Sequence, residues 1–162
     1  MNNSTVKYFA VLVLMLASFL SCKTTTNSIG NDGNENATLV ISYYQTPGYS
    51  KSTPEYTIEL YNNRQMHLIA TKNLDKEGKY MRRLTKEEYS QIVSAFDDAD
   101  FFDFKDEYTD NITDLPTRYI SFTYEGKSKK IKDYYGAPEK LGELELMVRS
   151  YLDRVGWSKM NW

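Results

Sequence analysis

Cysteine occurs once in the 162 residues, as Cys22, and histidine once, as His67. One thiol closes no intramolecular disulfide, and one imidazole builds no multi-histidine zinc site. Any Ser-His-Asp or Cys-His mechanism would have to use His67. It lies in the alternating stretch QMHLIA, on the face opposite Met66 and Leu68, and reads as an ordinary strand histidine. Net charge is also scarce, −2 at neutral pH, which excludes a general pull toward nucleic acid or an anionic membrane. The eight glycines form no phosphate loop, dinucleotide fingerprint or nucleophile elbow. Long apolar runs are missing as well: the longest uncharged one, Tyr8 to Leu20, is shorter than the ~20 residues of a spanning helix.

That run has the length of a signal-peptide core, and Lys7 precedes it. Phe19-Leu20-Ser21-Cys22 resembles the lipobox of bacterial lipoproteins, with a small residue before the cysteine, although Phe19 and Leu20 depart from its usual leucine and small residue. The resemblance implies that residues 1–21 are removed and that Cys22 becomes an acylated N-terminus inserted in the lipid bilayer. Residues 22–37 follow as CKTTTNSIGNDGNENA, polar and without periodicity, which makes them a flexible tether. A coil of that length spans ~20 Å, enough to hold a domain off a membrane. With Cys22 consumed by lipid, the rest of the chain holds no thiol for metal or redox chemistry.

From residue 38 to 162 the pattern is that of a single domain. TLVISYY is β-rich, and EYTIELY alternates Tyr56, Ile58 and Leu60 against Thr57, Glu59 and Tyr61. An Asn62-Asn63 turn leads to MHLIAT, and Gly78 to a fourth strand, KYMRRL. The period then changes. Thr85 and Glu88 form a capping box, and Tyr89, Ile92, Val93 and Phe96 recur on one helical stripe. RYISFTYE and KSKKIKDYY flank a Glu125-Gly126 turn. A last helix opens at Pro138, carries Leu141, Leu144, Val148, Tyr151, Leu152 and Val155 on its apolar stripe, and stops at Gly156. The order four strands, helix, two strands, helix predicts an α+β fold: an antiparallel sheet of about six strands with two helices packed on one face.

Chemistry has few places to sit. DDADFFDFKDEYTDNITD concentrates Asp97, Asp98, Asp100, Asp103, Asp106, Glu107, Asp110 and Asp114. Pairs among them could serve as acid and base in glycoside hydrolysis, or several could hold Ca²⁺, but no window supplies the glycine of an EF-hand loop. A solvated connector is the plainer reading. Asp97, Asp98 and Asp100 fall at a helix C-terminus, where the dipole disfavours anions; Arg82, Arg83 or the basic hairpin Lys127, Lys129, Lys130 and Lys132 could offset them. The same hairpin could be a phosphate patch, though lysines on an edge strand also block sheet-to-sheet pairing. Tyr43, Tyr44, Tyr49, Tyr134 and Tyr135 flank loops, where tyrosines suit peptide or glycan recognition.

Several of these stretches together resemble a family of bacterial envelope proteins, the domain of unknown function DUF6438. They are TPEY at residues 53–56, LTKEEYSQIVSAFDDADFFDF, YTDNITDLPT at 108–117, DYYGAPEKLGELE at 133–145, and Gly156-Trp157. The family pattern has a cysteine before the proline of the first motif and another upstream. Thr53 stands at the first place here, so no thiol role carries over. The resemblance implies a fold and an envelope location without an activity, and draws attention to the loops TDLPT and YYGAP. The combined expectation is an envelope lipoprotein, in the outer membrane facing periplasm or surface, acting as a non-catalytic binding module without cofactor. Its partner would be an envelope protein or glycan and not nucleic acid, with Asp110, Asp114, Tyr134 and Tyr135 as the candidate surface. The alternative is a carboxylate-dependent envelope glycan hydrolase.

Overall fold

A computed structural model describes residues 37–161. The expected signal peptide, Cys22 and all but the last residue of the expected tether lie outside them. The strands are β1 (Leu39–Gln45), β2 (Glu55–Tyr61), β3 (Gln65–Lys72), β4 (Gly78–Arg83), β5 (Glu107–Tyr108), β6 (Arg118–Tyr124), β7 (Lys127–Asp133) and β8 (Ser158–Lys159). Two helices interrupt them, α1 (Lys86–Asp98) and α2 (Glu139–Arg149), and a 3₁₀ turn at Phe101–Asp103 follows α1.

All eight strands form one sheet in the order β5-β7-β6-β1-β2-β3-β4-β8. β5 runs parallel to β7, so the sheet is mixed. The expectation of about six antiparallel strands is thereby corrected. β5 and β8 are two residues long, too short to carry any alternation, and exist because a neighbouring strand offers them a partner. Asp106 O accepts from Lys132 N, and Lys79 O accepts from Met160 N, each at 2.9 Å. Both sheet edges thus end in a stub.

Pairing register lines the buried face up in transverse rows. Lys129, Phe122, Ile41, Leu60, Met66 and Arg82 stand opposite one another across six strands. Ile131, Ile120, Tyr43, Ile58, Leu68 and Tyr80 form the next row. Ile92 and Phe96 of α1 and Leu141, Leu144 and Val148 of α2 join the same core. Tyr43 is completely buried there, which removes it from the loop-flanking tyrosines. Tyr44 faces the other way and stacks on Tyr119, ring centroids 6.0 Å apart.

The helices start as their sequences require and end differently. Thr85 accepts from Glu88 N at 3.1 Å while Glu88 Oε2 accepts from Thr85 N at 2.9 Å, the reciprocal capping box. α2 ends at Arg149, short of Gly156. Ser150 Oγ donates to Met147 O at 2.7 Å, Tyr151 N and Leu152 N turn back to the carbonyls three residues earlier, and Trp157 Nε1 takes Tyr151 O at 2.9 Å. Tyr151 stays buried, but Val155 is 88% exposed, so the apolar stripe stops a turn before its expected end.

Candidate functional site

The acidic connector after α1 is held by its aromatics. Phe101 is fully buried and packs against Phe96 and Phe122, with centroids 5.3 and 5.7 Å away. Asp100, at φ +53°, turns the chain into the 3₁₀ turn. The carboxylates are left outside, and lysines meet them. Lys140 Nζ donates to Asp98 O at 3.0 Å and lies 3.7 Å from Asp100 Oδ2, so α2 supplies the cation that α1 lacks at its C-terminus. Arg82 is occupied elsewhere, 2.5 Å from Glu88. Lys129 bonds Phe102 O and Phe104 O and reaches Asp106 at 3.1 Å; Lys132 reaches Glu107 at 2.7 Å. Among the described residues no group of three or more His, Cys, Asp or Glu is placed to hold a metal ion.

β5 follows this connector and brings two of the candidate residues together. Tyr134 N and Tyr135 N both donate to Tyr108 O, at 2.9 and 3.3 Å. Tyr134 Oη donates to Ile112 O at 2.7 Å, pinning the loop that carries Asp110. Asp110 and Tyr135 then line one open depression of about 270 Å³, with Tyr108, Glu107 and Lys105 around it. Tyr135 is 48% exposed, and Asp110 also faces solvent. Asp114 is not among the lining residues; it is exposed and in the left-handed region at φ +75°. A second loop closes beside it. Thr46 N donates to Thr117 O at 2.9 Å, and Thr117 N returns to Thr46 Oγ1 at 2.8 Å. Gly48, at φ +58°, lies so close that a Cβ would sit 3.1 Å from Pro116 N and 3.2 Å from Leu115 C. Tyr49, Ile112 and Leu115 are left exposed on these loops.

A second constellation was not singled out from the sequence. The third transverse row on the buried face is polar: Asp133 stands opposite Arg118, Arg118 opposite Gln45, and Gln45 opposite Tyr56. α2 adds Glu145 and Arg149 above it. Arg118 lies 2.5 Å from Asp133 Oδ2 and 3.2 Å from Glu145 Oε2. Both carboxylates are 1% exposed. Burial pushes Glu145 up to about 7, with neighbouring Asp133 adding to the rise and Arg118 and Arg149 opposing it. Tyr43 and Tyr56 are raised as well, chiefly by burial. Four atoms of this cluster lack a hydrogen-bond partner: Arg118 Nε, Asp133 Oδ1, Glu145 Oε1 and Arg149 Nε. The available signal was parity: Gln45, Arg118 and Asp133 each sit two residues from a core residue on the same strand face.

His67 lies on the sheet's other face, opposite Glu59, its ring 4.8 Å from Tyr61. Tyr61 Oη donates to Glu59 at 2.8 Å, and His67 Nε2 is buried without a partner. Burial lowers its pKa from the ordinary 6.5.

The profile of the domain of unknown function DUF6438 matches residues 39–152, most of the chain and all of it from β1 through α2. The chain belongs to the DUF6438 family. No curated protein matches it. Both buried carboxylates of this DUF6438 domain lie in the stretch DYYGAPEKLGELE, Asp133 at its beginning and Glu145 at its end. Among the described residues no helix is long and apolar enough to cross a membrane.

Proposed function

We propose that this DUF6438 chain is a bacterial envelope lipoprotein, anchored through an acylated Cys22, whose domain is a non-catalytic binding module for an envelope protein or glycan. The observation that carries the domain's part is the meeting of Asp110 and Tyr135 in one open depression of about 270 Å³. They are 25 positions apart in the chain, and the Tyr134–Ile112 hydrogen bond holds their loops together. An exposed tyrosine beside the carboxylates of Glu107 and Asp110 has the mixture of apolar body and polar tip that recognition surfaces use. The lipid anchor rests on the lipobox-like segment alone. A hydrolase needs two carboxyl groups in reach of substrate; Asp133 and Glu145 are 1% exposed and closed to one, so that alternative would have to use Glu107 and Asp110 in the depression.

The test is crosslinking of the tagged, full-length protein in intact cells of its native host. Tyr135→Ala and Asp110→Ala are expected to lower capture of the partner about tenfold each, the effect of losing ~1.4 kcal/mol. Asp114→Ala is expected to leave it unchanged. Equal capture by all three variants overturns the assigned surface. Turnover of envelope glycan that vanishes in Asp110→Asn, with folding intact, would replace the binding module by a hydrolase. Cys22→Ala is expected to abolish palmitate labelling and release the protein from membranes; persistent labelling ends the lipoprotein reading.

A further inference from the structure

We propose that Asp133 and Glu145 hold a single proton between them, and that this proton locks the corner between β7 and α2 on which Tyr134 and Tyr135 stand. The geometry of the unpartnered atoms points to it. Each carboxyl group spends one oxygen on Arg118, Oδ2 of Asp133 at 2.5 Å and Oε2 of Glu145 at 3.2 Å. The oxygens left over, Asp133 Oδ1 and Glu145 Oε1, are buried and without a donor. An ionised carboxylate can only accept, so two ionised groups would leave two bare acceptors out of water. One proton taken from solvent turns one of those oxygens into a donor aimed at the other carboxyl group, and a single hydrogen bond satisfies both.

The groups that face Glu145 are consistent with this. β6 contributes Arg118, β7 Asp133, β1 Tyr43 and β2 Tyr56, and α2 itself contributes Arg149 one turn on. Arg118 already serves both carboxyl groups, and Arg149 is engaged by the Tyr56 hydroxyl. No further donor reaches the two free oxygens. Loss of the proton therefore places two anions side by side, both on Arg118, with Arg149 as the other cation facing Glu145. Asp133 is the last residue of β7, and the next two amides both bond Tyr108 O. Repulsion at Asp133 acts on those amides first, and through Tyr134 on the Ile112 loop. None of this depends on what the surface binds.

The experiment is carbon-13 NMR of the wild-type domain with carboxyl-labelled Asp and Glu, combined with amide hydrogen exchange at Tyr134 and Tyr135. The expected result is a titration of Glu145 Cδ near neutral pH, with the Asp133 Cγ resonance moving in the same step as its neighbour changes charge. Over the same step, exchange protection of Tyr134 and Tyr135, corrected for the intrinsic pH dependence, is expected to fall about tenfold. In Glu145→Gln, whose amide can donate to Asp133 at any pH, protection stays flat. Glu145 Cδ titrating near ~4, the ordinary carboxylate range, or a neutral Glu145 step that leaves Asp133 Cγ unmoved, overturns the shared proton. Flat protection in the wild type across a neutral titration overturns the lock. The carbon titration requires no variant, so misfolding of Glu145→Gln leaves the proposal testable.

Discussion

Arg118 is the residue on which most depends. It is the first residue of β6, where a charge ordinarily points to water, yet its side chain is only 30% exposed and spans Asp133 and Glu145. Buried ion pairs add little over an apolar replacement, but removing one partner strands the other. Arg118→Met is therefore expected to cost about 3 kcal/mol in urea unfolding. Combining it with Asp133→Asn and Glu145→Gln is expected to restore much of that loss. A cost below about 1 kcal/mol, the worth of a surface pair, would show that the carboxyl groups do not rely on this guanidinium. The cluster was hidden in the sequence for a definite reason. Gln45, Arg118 and Asp133 each close or open a strand, where polar residues carry no signal, and Glu145 and Arg149 sit in a helix rich in charge. Only the register across four strands puts them in one place.

Elements were more legible where a local rule governs them. The alternation in EYTIELY yields β2, and the Thr85–Glu88 box starts α1, because both depend on spacing along a single segment. The end of α2 was less so. Tyr151, Leu152 and Val155 continue a helical period, but Trp157 captures the Tyr151 carbonyl and the chain turns off to reach β4. Loop packing is likewise a tertiary matter, and Gly48 tests it. A side chain there meets backbone of Leu115 and Pro116 and must also adopt a positive φ. Gly48→Ala is expected to cost of the order of 1–3 kcal/mol and to raise exchange in both loops. A neutral substitution would mean that these loops do not bear on one another.

For the whole molecule, two buried groups set opposite pH dependences. Glu145 has a folded pKa of about 7 against 4.5 unfolded, so the fold binds the extra proton between those values. Its contribution is complete below about 4.5 and is lost as pH rises through about 7. His67 is shifted down from 6.5, so its contribution is present above 6.5 and is lost as pH falls through the lower folded value. Wild-type stability is expected to decline from pH 6.5 to 8 by about 1 kcal/mol or less, the tail of a loss that begins near pH 4.5, measured by urea unfolding at fixed ionic strength. In Glu145→Gln that decline disappears while the acid limb remains. The same alkaline decline in both proteins would assign it to another group.

By itself the sequence determined the alternating strands, the starts of both helices, the single thiol and single imidazole, and the kinship to DUF6438, since each is written in local spacing or composition. It also placed Asp110, Tyr134 and Tyr135 in loops, though not in contact. The tertiary structure alone decided that the sheet is mixed and eight-stranded, because two-residue strands exist only through their partners. It decided that the acidic connector is tied down by buried phenylalanines and lysines from β7 and α2. And it decided that Asp133 and Glu145, 12 residues apart in the chain, share one guanidinium out of water, because burial and register are properties of the assembled sheet and not of any segment in it.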